Sequence, residues 1–238
     1  MYLYGKNSIL ERLKKNPKSI KKIFIDKDFR TLHVIEAIKA KNISTQFVTE
    51  RELMKIKRAD RLQGIVALVN DFEYTPLEEL LSKAKNENLS LICLDNINDP
   101  HNLGSIMRTV ACFGRFAVVL PRHASCEVND TVMHVASGGE NFVPVSMVNN
   151  MLTAIIKAKK AGFWVVGTVV EKGENINKAS LPFPLCLVLG SEGKGIRPGI
   201  KKHLDLKVSL PMGGAQLSLN VATACAIFCY EISKQKTN

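Results

Sequence analysis

The hydrophobic and polar positions follow two different rhythms along the chain. In residues 1–72, short helical and strand patterns alternate. Amphipathic helices are predicted for SILERLKK, TLHVIEAIKAK and RELMKIKRA, and strands for KKIFID, STQFV and GIVALV. This alternation predicts a small α/β domain of about 70 residues.

The second rhythm begins near Leu91, where continuous apolar runs rich in β-branched residues take over. Strands are predicted for LICLD, FAVVL, VPVSMV, FWVVGTVV, LCLVLG and LKVSL, with helical stretches between most of them. Strands that are apolar on both faces are typical of a mostly parallel sheet with helices on both sides. The chain closes with a predicted helix, SLNVATACAIFCYEISKQ, which carries Ser218 near its start.

A polar stretch that contains Pro76 separates the two rhythms and ends in a short predicted helix. We therefore predict a first domain over residues 1–72, a linker over residues 73–88, and a larger α/β domain over residues 89–238.

Positive charge is concentrated in the first domain. The formal net charge is +11, and residues 1–72 hold 16 of the 33 lysines and arginines but only 8 of the 22 acidic residues. Such an asymmetry suggests a surface that binds a polyanion. A merely solvated basic face is the alternative. Binding to a membrane surface is disfavoured, because no basic amphipathic helix with an aromatic face stands out.

The remaining composition favours a soluble cytoplasmic protein. No apolar run approaches the ~20 residues that span a bilayer, and the N-terminus lacks the apolar core of a signal peptide. The six cysteines form no C-x-x-C pair, so we expect them to be reduced and buried. Cys225 and Cys229 share a helix face, but no histidine or acidic residue sits at ligand spacing, which favours core packing over a metal site.

Polar residues and glycines follow three of the predicted strands, at the point where each strand ends. The first loop carries Asn102 and Arg108, the second carries Glu192 within LGSEGKGIRPG, and the third carries Ser218 and Asn220. Ligands of parallel sheets bind at the carboxyl ends of the strands, so these loops are candidates for one site. Each loop also has a plainer interpretation: an Asn-x-Gly turn is common, and Ser218 could simply cap the last helix.

The sequence lacks the motifs of several other functions. The glycines at 190, 193 and 195 match neither the dinucleotide fingerprint nor the phosphate loop that ends in Gly-Lys-Ser/Thr, which disfavours NAD and ATP. There is no G-x-S-x-G elbow, and no two-histidine or histidine-carboxylate spacing that would hold a metal. His101 lies in the first loop, where contact with substrate is possible but a solvated turn residue is more common.

The three loops, taken together and in this order, resemble the three motifs of the SpoU (TrmH-like) RNA 2′-O-methyltransferases of the SPOUT superfamily. The matching segments are NDPHNLGSIMRT, LGSEGKGI and LPMGGAQLSLNVATA. At the N-terminus, YGKNSILERLKK and LQGIVALVNDFEY resemble the start and end of the ribosomal-protein-like RNA-binding domain that RlmB-type members carry. The resemblance thus covers nearly the whole chain.

This resemblance implies more than the patterns alone. It implies a C-terminal trefoil knot in the larger sheet, S-adenosylmethionine bound within the knot, and a homodimer with the active site near the subunit interface. Asn102 and Arg108 correspond to the substrate and catalytic loop, Glu192 to the acid of the second motif, and Ser218 and Asn220 to the polar pair of the third. The implied cofactor contacts are Thr168, Leu189, Gly190, Gly195, Ile196, Leu210, Met212 and Leu219.

Two positions depart from the family pattern. Leu217 directly precedes Ser218, where members often have a polar or acidic residue, and Leu62 precedes Gln63, where a histidine is frequent. Either change could affect the choice of RNA without removing the cofactor site.

RNA is the expected substrate, ribosomal RNA first and transfer RNA second. A basic module would bind folded RNA by its backbone and shape while a loop presents an unstacked nucleotide. We expect Arg108 to act as an electrostatic clamp, because a guanidinium is a poor proton acceptor. Two rival hypotheses are a non-catalytic RNA-binding protein that keeps the fold, and a nucleotide-dependent enzyme that uses the glycine loop.

Overall fold

The computed structural model describes residues 1–191, 193–214 and 217–237, with the Thr237 side chain excluded. These residues form two sheets, one of four strands near the N-terminus and one of seven strands in the remainder. The boundary between the sheets matches the change of rhythm in the sequence. Among the described residues, no helix is long and apolar enough to cross a membrane.

The smaller sheet has the strand order β1-β4-β2-β3, with β2 and β3 parallel and the other two pairings antiparallel. One face packs on the first two helices, and the other packs on Leu53 of the third. The predicted helices and strands are confirmed, and β1 is an addition that is too short to show a pattern. The elements are β1 (Tyr2–Tyr4), α1 (Lys6–Lys15), β2 (Ile20–Asp26), α2 (Leu32–Ala40), β3 (Thr45–Val48), α3 (Glu50–Ile56) and β4 (Ile65–Val69).

The larger sheet is parallel throughout, with the strand order β7-β6-β5-β10-β8-β11-β9. The predicted α/β architecture is therefore confirmed, whereas the trefoil knot stays a prediction. The elements are α4 (Leu77–Asn86), β5 (Ser90–Leu94), α5 (Pro100–Phe113), β6 (Phe116–Pro121), α6 (Asp130–Ala136), β7 (Val145–Val148), α7 (Met151–Lys160), β8 (Trp164–Thr168), β9 (Glu174–Asn175), β10 (Leu185–Leu189), α8 (Pro198–Lys201), β11 (Leu206–Ser209) and α9 (Val221–Thr237).

Both faces of the larger sheet are buried, which explains its continuous apolar strands. Along β5, Ile92 and Leu94 join one hydrophobic cluster, and Leu91 and Cys93 join another. Helices α5, α6 and α9 cover the first face, and α4 and α7 cover the second. Since successive strand residues point to opposite faces, these strands are apolar on both sides, apart from buried serines such as Ser90 of β5 and Ser146 of β7.

Two details differ from the sequence-based expectation or refine it. The last helix begins at Val221 rather than at Ser218. Residues 73–88, predicted as a linker, contain α4, whose Leu80 and Ala84 pack under the larger sheet. The division into domains stays a prediction, but α4 belongs structurally to the larger sheet.

The prediction that all cysteines are buried is wrong for two of the six. Cys93, Cys186, Cys225 and Cys229 are buried, whereas Cys112 is exposed and Cys126 is partly buried. Cys112 lies on the outer face of α5, and Cys126 lies in a loop, so neither is covered by a second layer. A hydrogen bond with Cys186, together with burial, raises the pKa of Cys93 well above its ordinary value, which keeps that thiol protonated.

The close packing of α5 on α6 depends on one glycine. A Cβ at Gly104 would lie 2.6 Å from Cβ of Val135 and 2.8 Å from the carbonyl oxygen of Val132. Any larger residue would push α6 away from α5. The glycine of the first motif therefore has a packing role, and it fixes the helix that carries Asn102 and Arg108.

Candidate active site

A cavity of about 450 Å³ opens where the loops after β8, β10 and β11 meet the start of α9. Its volume falls in the range of small-molecule sites, about 300–1,000 Å³. All eight residues that the resemblance implied as cofactor contacts line it. They are Thr168, Leu189, Gly190, Gly195, Ile196, Leu210, Met212 and Leu219.

Further residues line the cavity that were not predicted from the sequence. Residues 169–171 follow β8 directly, and the rule that ligand contacts follow the apolar strands would have found them. Ala224 and Phe228 lie one and two turns into α9 and had no signal beyond helical spacing. Lys194 and Lys201 also line the cavity.

The glycine loop after β10 folds back on itself. A Cβ at Gly190 would lie 2.1 Å from the carbonyl carbon of Gly195 and 2.2 Å from the nitrogen of Ile196. The Gly195 N–H donates to the Ser191 carbonyl oxygen at 2.9 Å, and Gly195 has φ +64°. Gly190 is therefore needed for the loop to close, and Gly195 for its left-handed turn. Glu192, the predicted acid of this loop, lies outside the described residues.

Asp95 directly follows β5, and its side chain contacts Arg197 in the glycine loop. Its side chain is fully buried. Its Oδ2 accepts a hydrogen bond from the Arg197 backbone N–H at 3.2 Å, and its Oδ1 lies 2.6 Å from the Arg197 Nη2. One carboxylate therefore fixes both the backbone and the side chain of Arg197, just after the cavity-lining Ile196. Asp95 was not predicted, because a single aspartate after a strand carries no motif.

A direct hydrogen bond joins the first and third loops. The Asn220 Nδ2 donates to the Asn102 Oδ1 at 2.9 Å, although the two residues are 118 positions apart. The Asn220 Oδ1 also accepts the backbone N–H of Ala222 at 2.9 Å, in the first turn of α9. Asn220 therefore caps the last helix and contacts the first motif at once, and it occupies the capping place that the sequence analysis considered for Ser218.

The other two predicted catalytic side chains are placed differently. Ser218 is exposed and lines the cavity. Arg108 is exposed on α5, and it does not line the cavity in the described part of the chain. Of the predicted catalytic residues that are described, Ser218 alone lines the cavity. Asn220 lies between the lining residues Leu219 and Val221 and bonds to Asn102, whereas Arg108 lies on the adjoining helix face. The described residues include no group of three or more His, Cys, Asp or Glu side chains that could hold a metal ion.

The two positions that depart from the family pattern also differ in environment. Leu217 is 71% exposed, beside the cavity. Leu62 is buried in the core under α3, so it can affect RNA choice only through packing.

Comparisons with known proteins cover both sheets. The model of the SpoU rRNA methylase family matches residues 89–230, and a model described as RNA 2′-O ribose methyltransferase substrate binding matches residues 2–75. The chain is 34% identical over 238 residues to the 23S rRNA (guanosine-2′-O-)-methyltransferase RlmB of Neisseria meningitidis, covering 98% of this chain and 95% of that protein. It is also 34% identical to the enzyme of the same name from Nitrosomonas europaea, over 98% of this chain and 91% of that one.

Solved structures share the fold across the whole chain. An AdoMet-bound rRNA methyltransferase from Sinorhizobium meliloti superimposes with a TM-score of 0.81 and 22% identity, covering 100% of this chain and 87% of that one. The SpoU methyltransferase AviRb from Streptomyces viridochromogenes, in complex with AdoMet, gives a TM-score of 0.80 and 20% identity, covering 100% and 90%. At these identities the likeness establishes the fold.

The contact of Asp95 with the glycine loop predicts an effect on binding in the cavity. Asp95→Asn removes the charge that holds Arg197, so the loop should lose its fixed position. We expect affinity for S-adenosylmethionine to fall about tenfold, which corresponds to about 1.4 kcal/mol. Isothermal titration calorimetry on the folded variant measures this.

Asp205→Asn is a matched control. Asp205 also accepts one backbone N–H, from Val165, and also pairs with one cation, Lys159, but it lies at the opposite end of β8. It should leave the affinity within twofold of wild type. Equal losses in both variants would show that Asp95 acts only through general stability.

Proposed function

The chain belongs to the SpoU rRNA methylase family, and we propose that it is an enzyme that methylates a ribose 2′-hydroxyl in structured RNA with S-adenosylmethionine as the methyl donor. A guanosine of 23S ribosomal RNA is the proposed target, with transfer RNA as the alternative, and the proposed location is the cytoplasm. The observation that carries this proposal is the 34% identity to enzymes named RlmB, which extends over both modules.

The cavity suits the proposed cofactor. Its lining includes apolar side chains that can cover an adenine ring, among them Leu189, Ile196 and Phe228. Glu171 and Lys201 at the rim carry charges opposite to the ammonium and carboxylate groups of the cofactor's methionine part. When bound, S-adenosylmethionine supplies a methyl group that is activated by the adjacent sulfonium.

The protein's own task is to place the hydroxyl and help its proton leave. In the proposal, Asn102, Ser218 and Asn220 orient the target ribose at the mouth of the cavity. Glu192 is proposed as a further polar contact from the second motif. With its positive charge, Arg108 would stabilise the negative charge that develops on the ribose oxygen, or hold an adjacent phosphate, while the hydroxyl proton passes to a phosphate oxygen or to water.

The N-terminal module, residues 1–72, is proposed to anchor the RNA. It carries half of the basic residues of the chain, and Lys18, Lys21, Lys39 and Lys41 are all exposed. Phosphate contacts of this kind fix position without reading sequence. This arrangement separates RNA anchoring from the cavity, where the methyl donor binds.

A homodimer is also proposed, through the exposed face that α5 and α9 form together. Phe113 on α5 and Tyr230 on α9 have ring centroids 6.5 Å apart, and with Ile227 they are 39–59% exposed. Exposed aromatic and aliphatic side chains grouped on two packed helices are typical of a subunit interface. Cys112, one helical turn after Arg108, is exposed on the same part of α5, so a second subunit there would bring Arg108 close to the interface.

The dimer is testable with one substitution. Tyr230→Asp places a charge in the proposed interface, so we expect a monomer at micromolar concentration by light scattering, and loss of most methyl transfer. Phe47→Asp is the control, because Phe47 is equally exposed but lies on the N-terminal module. A wild-type protein that is monomeric and fully active would contradict the dimer.

The proposed reaction is tested by transfer of labelled methyl to total RNA, followed by mapping of the modified nucleotide. We expect label on one ribose of ribosomal RNA.

Arg108→Ala should lower the rate of methyl transfer at least 100-fold, because charge stabilisation is lost, while the affinity for S-adenosylmethionine stays within twofold. Lys160→Ala, an exposed cation on α7, should have no effect. Wild-type activity in the Arg108 variant would refute its assigned role.

Methyl transfer and thermal stabilisation by ligands separate the rival hypotheses. A non-catalytic RNA-binding protein would bind RNA but transfer no label. A nucleotide-dependent enzyme would be stabilised against heat by NAD or ATP, whereas the proposed enzyme should be stabilised only by S-adenosylmethionine.

A further inference from the structure

The N-terminal module is joined to the larger sheet by a polar and aromatic seam between α1 and β1 on one side and residues 130–141 on the other. The Tyr4 and His134 rings stack with centroids 4.1 Å apart, and the His134 Nδ1–H donates to the Tyr4 carbonyl oxygen at 3.0 Å. Asp130 accepts the Tyr2 backbone N–H at 3.0 Å and pairs with Lys57. Apolar residues of both modules belong to a single hydrophobic cluster. The module is therefore docked in one orientation.

A buried ion pair lies at the centre of this seam. The Arg12 Nη2 is 3.1 Å from the Glu140 Oε1, and the two side chains are 8% and 0% exposed. Arg12 also contacts Ser19 Oγ at 3.3 Å, and Asn141 Nδ2 donates to Glu140 Oε1 at 3.0 Å. A buried charge that loses its partner is strongly destabilising, whereas an apolar pair of similar size can replace both partners at little cost. The pair thus fixes the seam only while both members are present.

The turn that carries Glu140 is wedged between the two modules. A Cβ at Gly138, which has φ +95°, would lie 2.5 Å from Cβ of Glu11 on α1. A Cβ at Gly139 would lie 3.0 Å from the Cα of Arg108 on α5. Residues 138–140 therefore touch the N-terminal module on one side and the backbone of Arg108 on the other. A larger residue at 138 would clash with Glu11, and one at 139 would require the backbone of Arg108 to shift by a few tenths of an ångström.

We propose that Glu140 is a positioning residue for methyl transfer: paired with Arg12, it holds the N-terminal module in a fixed orientation against the helix that carries Arg108. This inference rests on the proposed function. RNA anchored on the module would then present its target ribose at a set distance from Arg108. Burial raises the pKa of Glu140 and Arg12 opposes this shift, which is consistent with a charge that depends on its partner.

The test uses a set of full-length variants. Glu140→Leu and Arg12→Met each leave one charge buried without its partner, and the double variant replaces the pair by apolar side chains. We expect each single variant to lower kcat on saturating ribosomal RNA at least tenfold, with affinities for RNA and S-adenosylmethionine within twofold of wild type. The double variant should recover kcat to within threefold. Glu78→Leu, which breaks the exposed pair with Lys157, should have no effect.

A second readout does not depend on activity. Small-angle X-ray scattering should show a larger radius of gyration in the single variants and a wild-type value in the double variant. If Glu140→Leu does not fold, Asp130→Asn weakens the partly exposed contact in the same seam and should lower kcat about threefold. Single variants with wild-type kcat, or a double variant as poor as the singles, would overturn the inference.

Failure of the proposed function has a different signature. A wild-type protein that methylates no RNA would refute the function, and the scattering series would still report on the seam. Wild-type activity with unaffected variants would refute only the role of Glu140.

Discussion

The candidate site depends on one constraint: three loops that are far apart in sequence must stay together at the carboxyl edge of a parallel sheet. The sheet brings the loops to the same edge, but loops at strand ends are free to separate unless side chains join them. Here the Asn102–Asn220 hydrogen bond joins the first loop to the third, and the Asp95 carboxylate joins the end of β5 to the second. These two connections tie the second and third loops, which line the cavity, to the segment that follows β5.

A small number of close contacts also links the two modules. Glycines at 104 and 139 let α6 and the following turn approach α5 closely, so the helix that carries Arg108 is fixed from two sides. The buried Arg12–Glu140 pair then extends that rigid unit to the N-terminal module. In the proposed enzyme, a substrate as large as folded RNA is held at two places, and the geometry between them is set by packing and by the ion pairs of the seam, of which Arg12–Glu140 is the buried one.

Most strands of the larger sheet and many of the cavity residues were predictable from the sequence, for different reasons. The strands of the larger sheet are apolar on both faces, so their existence and parallel arrangement follow from the pattern. β1 and β9 are only three and two residues long and show no periodicity. The eight cavity residues named from the family motifs all line the cavity, because motifs fix positions relative to strand ends. The Asp95–Arg197, Glu140–Arg12 and Asn220–Asn102 contacts were not predictable, since the paired residues lie 102, 128 and 118 positions apart and meet only in the folded chain.

The most direct test of this account is a double-mutant cycle across the Asn102–Asn220 hydrogen bond. Asn220→Asp keeps an oxygen to cap α9 but removes the N–H that Asn102 accepts, and Asn102→Ala removes the acceptor. If the first and third loops act as one site, each single variant should lower kcat on the order of tenfold, and the double variant should be little worse than the poorer single. Effects that multiply to about 100-fold would show that the two loops act independently.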